Sequence, residues 1–271
     1  MQNYIVREHP IRIMQKCRAH SKGTLFSFLL GLCILYAFLN WIPELLSTQF
    51  TVTNIDMMRE YMDLDQQIAR QLPATTMVQI LYTFLFTGVF KLSECLYTLT
   101  YIRNRKVEYR ALQEGFSLYL KALGLFLLEV IFISLWSMLF VIPGLIAYFS
   151  YTQAFYILAE DPSKSIREIL MESKMRMQGN KWNYFRLMVY YLPYVIVAYM
   201  PMILLVDLSY SLSLTGLAFA VVGMISEIPV FFAEGYMCLG KCTFYELLLN
   251  GKFANFKYEN QQAFREDEKR D

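Results

Sequence analysis

Apolar residues run along this chain in stretches of about twenty positions, separated by short segments where Lys, Arg, Asp and Glu are concentrated. A hydrocarbon core of about 30 Å needs ~20 apolar helical residues to cross it, so each stretch predicts a transmembrane helix. Six are expected, at residues 24–42, 77–101, 120–141, 143–159, 187–206 and 214–240. The first ends at Asn40-Trp41-Ile42-Pro43, an interfacial aromatic followed by a helix-ending proline. It reads as uncleaved, because its basic lead is long and no small-residue cleavage site follows. The third and fourth share the run 120–159, whose only charges are Lys121 and Glu129. Pro143-Gly144 is expected to fold that run into a tight hairpin, a kinked helix with a re-entrant half being the alternative. Asp207-Leu208-Ser209-Tyr210-Ser211 predicts the turn between the fifth and sixth spans. The expected fold is therefore all-α, a polytopic six-helix transmembrane bundle. A basic segment at 1–23 precedes the transmembrane domain at 24–249, and a charged tail at 250–271 follows it.

Composition supports this class. Hydrophobic residues make up 56% of the 271 positions and charged residues 18%, more apolar and less charged than a water-soluble domain. The net charge of +2 says little. The placement of the cations says more: with Lys121, at the very start of the third span, 22 of the 25 Lys and Arg fall before the first span, at or between the second and third, between the fourth and fifth, or after the sixth. Only Arg59 and Arg70 fall on the other side, with Lys91 inside a span. By the positive-inside rule both termini are expected in the cytoplasm. Nothing points to nucleic acid.

Two cytoplasmic segments are expected to be amphipathic and interfacial. Ser165-Ile166-Arg167-Glu168 has capping-box spacing, and Gly179-Asn180 supplies a stop. Between them Ile166, Ile169, Leu170 and Met177 recur at helical spacing, which predicts a helix lying on the inner leaflet. Arg167, Lys174, Arg176 and Lys181 are its candidate contacts for anionic lipid headgroups, although such cations also serve simply to fix topology. The stretch from Ile5 to Ser21 is a second basic candidate. On the far side, the acidic loop 46–76 carries Asp63-Leu64-Asp65 without the Gly and twelfth-position Glu of a calcium loop, and predicts a solvated short helix.

Catalytic chemistry finds little support. The two histidines, His9 and His20, lie outside every span, which removes imidazole as base or ligand there. There is no phosphate-binding glycine loop, no GxSxG and no HExxH. Cys17, Cys33, Cys95, Cys238 and Cys242 are expected as free, packed thiols. No metal or cofactor is expected, and the chain does not read as an enzyme. The sharper signal is charge within the spans: Lys91, Glu94, Glu129, Glu227 and Glu234. Such groups are costly in lipid and turn toward partners in the bundle. Counting from the span ends puts Lys91, Glu129 and Glu227 near one level, either as an ion-pair network holding helices together or as a polar cavity for a headgroup, ion or proton.

The run Ile142-Pro143-Gly144-Leu145-Ile146-Ala147-Tyr148-Phe149-Ser150-Tyr151, then Phe155 to Pro162, Ser173-Lys174 and Met177-Gln178-Gly179-Asn180-Lys181-Trp182, resembles the signature of a bacterial integral membrane family called domain of unknown function 975. Gly115-Phe116 through Ala122-Leu123 and the basic start ending Lys22-Gly23 look similar too. The likeness covers spans two to five best. It is shared with a wider set that includes the membrane domain attached to some glycerophosphodiester phosphodiesterases. It implies a multi-pass protein of a bacterial cytoplasmic membrane and lends no catalytic residue. The function expected is that of a non-enzymatic accessory or lipid-associated membrane factor, with a membrane-protein partner or self-association left open. The alternative is a small-molecule or ion transporter using the intramembrane carboxylates.

Overall fold

A computed structural model of the protein describes residues 5–62, 77–212 and 217–249. Among them every regular element is helical. In chain order these are α1 (Pro10–His20), α2 (Leu25–Met62), α3 (Met77–Asn104), α4 (Arg110–Glu114) with a 3-10 turn (Gly115–Leu118), and α5 (Tyr119–Leu139). Then follow α6 (Val141–Tyr151), α7 (Ala154–Glu160), α8 (Ile166–Met177), α9 (Lys181–Ser211) and α10 (Leu217–Leu248). Six stretches are long and apolar enough to cross a membrane: Leu25–Pro43, Ile80–Asn104, Arg110–Leu139, Val141–Glu160, Lys181–Ser209 and Val221–Leu248. The chain is a multi-pass membrane protein by that pattern. Asp63 and Asp65 of the acidic loop and the tail 250–271 lie outside the described residues.

Three helix ends differ from expectation, each for a local reason. Pro43 does not end the first helix, and α2 continues through it to Met62. Proline removes the N–H that would bond the Leu39 carbonyl, and one residue away the Phe38 carbonyl accepts the Tyr82 hydroxyl at 3.0 Å from α3. A neighbouring helix thus supplies a donor near the disturbed turn. Asp207 to Ser211 stay helical, and the Ser209 and Ser211 hydroxyls are accommodated there by donating to the Val206 and Asp207 carbonyls at 2.6 and 3.0 Å. The hairpin between the third and fourth spans breaks at Phe140, whose φ of −161° and ψ of 153° are extended. A proline ring clashes with the carbonyl four residues back, so the break falls a turn ahead of Pro143. Pro143 then sits in the first turn of α6, where its missing N–H leaves nothing unpaired. Gly144 closes the hairpin, because a side chain there would run into Ser137.

The core joins α2, α3 and α10. Phe28 stacks on Tyr97 and Tyr101 with ring centroids 5.1 and 4.3 Å apart. Gly235 lets α10 approach Leu29 and Leu32 of α2. At Gly88 an added Cβ would lie 2.6 Å from the Ala122 carbonyl oxygen, so α3 and α5 cross in close contact. The N-terminal segment is also packed. Val6 donates its N–H to Asn180 Oδ1 at 2.8 Å, and Asn183 Nδ2 donates to the Val6 carbonyl at 2.7 Å. His9 caps α1 by accepting the Ile11 N–H, with Pro10 in the first turn. Ile13 and Cys17 then bury toward α10, where Cys17 meets Thr243 Oγ1 at 3.1 Å.

Candidate functional site

The expected intramembrane charges separate into groups. Lys91 Nζ lies 3.8 Å from Glu129 Oε2 and about equally far from two rings, 5.4 Å from the Phe126 centroid and 5.5 Å from Phe155. Gly88 brings the two helices together one turn from Lys91. Glu129 Oε2 is buried and accepts no hydrogen bond among the described residues, so this ion pair is open at the carboxylate. Glu227 does not join it. Trp41 Nε1 donates to Glu227 Oε2 at 3.0 Å, which seats Glu227 beside the outer end of the first span. The expected common level of Lys91, Glu129 and Glu227 is corrected accordingly: the sixth span extends to Leu248, so Glu227 lies near its start and not its middle.

A second group runs along α10. Glu227, Glu234 and Lys241 are spaced by seven residues, two helical turns, and share one face. Opposite them Tyr36 of α2 donates its hydroxyl to Glu94 Oε1 at 3.1 Å. Cys238 approaches Thr98 Oγ1 at 3.2 Å. Glu234 lies within electrostatic reach of Glu94, Lys241 and Glu227, and Lys241 within reach of Tyr184, Glu94 and Tyr148. The result is a polar seam between α10 and the α2–α3 pair. Near its centre lie the carboxylates of Glu94 and Glu234 and the ammonium of Lys241, within electrostatic reach of one another. Counted in the sequence among the cations beyond the sixth span, Lys241 lies within α10.

The seam ends in an ion-pair network. Arg103 at the end of α3 reaches Glu246 of α10 at 2.6 Å and Glu160 of α7 at 2.9 Å. Tyr245 donates to Glu160 Oε2 at 2.8 Å and accepts from Arg176 at 2.9 Å. Arg176 also pairs with Glu172, which Lys164 reaches at 2.9 Å. Glu246 is only 2% exposed, so its charge is tolerated because Arg103 meets it. None of Arg103, Glu160, Glu172 or Glu246 was singled out in the sequence. The signal was present, since Glu246 interrupts the apolar run Phe244 to Leu249, but spacing alone names no partner.

The cytoplasmic helix forms between the expected signals. Ser165 Oγ accepts the Glu168 N–H at 3.3 Å while Glu168 Oε2 accepts the Ser165 N–H at 2.8 Å. Those bonds from Ser165 hold the Glu168 carboxyl below its ordinary range. Gly179, at φ +82°, stops α8. Its apolar face differs in destination, because Ile169, Leu170 and Met177 are buried in the bundle's own core. Arg176 turns inward to Glu172 and Tyr245. Arg167 and Lys174 stay exposed with Met171 and Met175, Lys181 is half-buried, and Trp182 is exposed at the start of α9. Of the four candidate lipid contacts, two are therefore free on the outer face.

A family model described as "Protein of unknown function (DUF975)" matches residues 138–252. That stretch runs from the α5–α6 turn to the end of α10, so it takes in the sixth span and leaves out the second, where the likeness had been expected. Neither the curated proteins nor the solved structures contain a match. The comparisons show no likeness to the membrane domain of glycerophosphodiester phosphodiesterases.

Proposed function

We propose that this multi-pass protein is a non-enzymatic accessory factor of a bacterial cytoplasmic membrane, oriented with both termini inside and contacting anionic headgroups of the inner leaflet. The observation that carries this reading is the outer face of α8, where exposed Arg167 and Lys174 alternate with exposed Met171 and Met175 beside Trp182. Cations over apolar side chains and an interfacial Trp match the boundary between headgroups and acyl chains. Each such cation is worth ~1 kcal/mol at an anionic surface, so loss of both weakens binding roughly thirtyfold. The test is native mass spectrometry of the detergent-purified chain with added phosphatidylglycerol or phosphatidylcholine. Arg167→Gln with Lys174→Gln is expected to lose phosphatidylglycerol adducts and keep any phosphatidylcholine ones; equal retention by both forms ends the proposal. Arg176 is left intact because it pairs with Glu172.

A second reading rests on the seam. Two carboxylates, Glu94 and Glu234, within electrostatic reach of one ammonium, Lys241, give the seam an excess of acids, which a proton or a bound cation would offset. This favours transport of a cationic solute or of protons along α10. It predicts that Glu234→Gln abolishes flux in proteoliposomes at unchanged thermal stability. Unaltered flux excludes it.

A further inference from the structure

Lys91 sits near the middle of its span, about 17 Å of helix from Ile80 and about 20 Å from Asn104. Both distances exceed the reach of a lysine side chain, so its ammonium cannot snorkel to the headgroups. The side chain is nevertheless 44% exposed, while Glu129, its counter-ion at 3.8 Å, is only 7% exposed. The surface around this opening is apolar. On α3 the exposed residues Ile80, Leu81 and Phe84 precede Lys91, and Phe84 meets Phe126 of α5 edge-on at 5.9 Å. On α5, Ile131, Phe132 and Leu135 are exposed beyond Glu129. The Thr87 hydroxyl, one turn from Lys91, already donates to the Thr83 carbonyl. Lys91 is thus the accessible charge of an apolar, membrane-embedded surface.

The pair is matched in charge and incomplete in hydrogen bonding. Among the described residues neither group makes a hydrogen bond: 3.8 Å is beyond hydrogen-bond length, and Glu129 Oε2 is buried without a donor. The Phe126 and Phe155 rings attract the ammonium from 5.4 and 5.5 Å but give its three N–H donors no oxygen. Unmet donors in hydrocarbon are costly. A group that meets them has to cross hydrocarbon, and so arrive uncharged, and then present an oxygen to an ammonium. An inorganic anion or a lipid phosphodiester fails the first condition, because charge near the bilayer centre is expensive. A cation fails the second, since Lys91 is the accessible member of the pair and repels it. A carboxylic acid in its protonated form meets both.

We propose that Lys91 and Glu129 form a binding site for the carboxyl group of an apolar-tailed acid, such as a fatty acid, taken up from the membrane phase. On binding, the acid's O–H bond breaks and its proton passes to Glu129, while the ligand carboxylate replaces Glu129 as the counter-ion of Lys91. One ammonium, one carboxylate and one neutral carboxyl remain. No net charge enters the bundle, and no proton is exchanged with water. The site is distinct from the outer face of α8 and from the α10 seam, so its failure leaves both readings of the function standing.

The test uses dodecanoic acid with a photoreactive diazirine at the end of its tail, irradiated with the full chain in phosphatidylcholine vesicles and mapped by peptide mass spectrometry. Labelling is expected within residues 80–91 or 126–135 and is displaced by unlabelled dodecanoic acid. Dodecanol has the same tail and no acidic proton. Charge-assisted hydrogen bonds are about twice as strong as neutral ones, so dodecanol is expected to displace the label only at roughly tenfold higher concentration. Lys91→Met with Glu129→Leu removes both charges together and strands neither. In that variant the acid and the alcohol are expected to displace equally. Equal displacement by the two in the unsubstituted chain overturns the proposal, because the site is then only an apolar surface. Labelling that the acid does not displace overturns it too, as does a preference for the acid that survives in the double variant.

Discussion

Single side chains, or their absence, set the closest contacts of this molecule. At Gly88 a methyl group meets a backbone carbonyl, that of Ala122, which has no rotamer to change. At Gly124 the nearest atom is Cδ1 of Ile166, at 2.9 Å, the movable end of a flexible side chain. Gly88→Ala is therefore expected to cost about 1–3 kcal/mol of stability and Gly124→Ala markedly less, read as the difference in melting temperature in detergent. Equal shifts contradict the close crossing of α3 and α5. Burial pushes the Cys17 thiol up to about 11, against smaller opposing contributions from Thr243 and Tyr191. Thiolate is the reactive form, so Cys17 is expected to resist maleimide at pH 8 in the folded chain and to label once the chain is denatured, as mass spectrometry of peptides would report. The five intramembrane charges were legible in the sequence because charge inside an apolar run is conspicuous. The pairing of Lys91 with Glu129 was legible too, from their common level; the partners of Glu94 and Glu227 were not, since Tyr36 and Trp41 lie on another helix and only the packing brings them together.

Among the elements, α8 shows where local signals suffice and where they stop. Its start is written in four residues, and Ser165→Ala is expected to cost about 1 kcal/mol. The depressed carboxyl of Glu168 adds a pH dependence. A lowered folded-state pKa means that the cap's contribution is present above the unfolded value, near 4.3, and is lost as pH falls through the folded one. Acid melting curves of wild type and Ser165→Ala should therefore converge toward low pH; a constant gap would contradict the capping box. The period of α8 told which face is apolar but not what covers it, because bilayer and protein core select the same residues. Expected helix ends failed for a related reason. Pro43 and the serines near Ser211 are stop signals in isolation, yet α2 and α9 run through them, because a local signal is a weak prior that tertiary context overrides. At the end of α3, Arg103→Gln would strand buried Glu246 and lower stability by about 3 kcal/mol. Full stability of that variant would show that the network is dispensable.

Across the whole molecule, apolar run length carried the architecture, since a hydrocarbon slab sets one length for every crossing segment. The same rule was blind to the α5–α6 turn, where a full crossing and a dip use equally apolar sequence. It was also blind to the first residues, which looked like a basic segment on the membrane surface and prove to be held by side chains from the α8–α9 turn. Asn180→Ala removes the acceptor for the Val6 N–H, and is expected to cost about 1 kcal/mol and to expose residues 5–9 to protease in purified protein. Unchanged protection would mean that α1 holds the segment alone. This clasp also orders assembly in time. Val6 is made first, while Asn180 and Asn183 are synthesised some 175 residues later. During synthesis the leading segment therefore waits outside its seat while four spans enter the membrane, and nascent chains halted before Asn180 should carry an N-terminus still open to any factor that meets it at the ribosome.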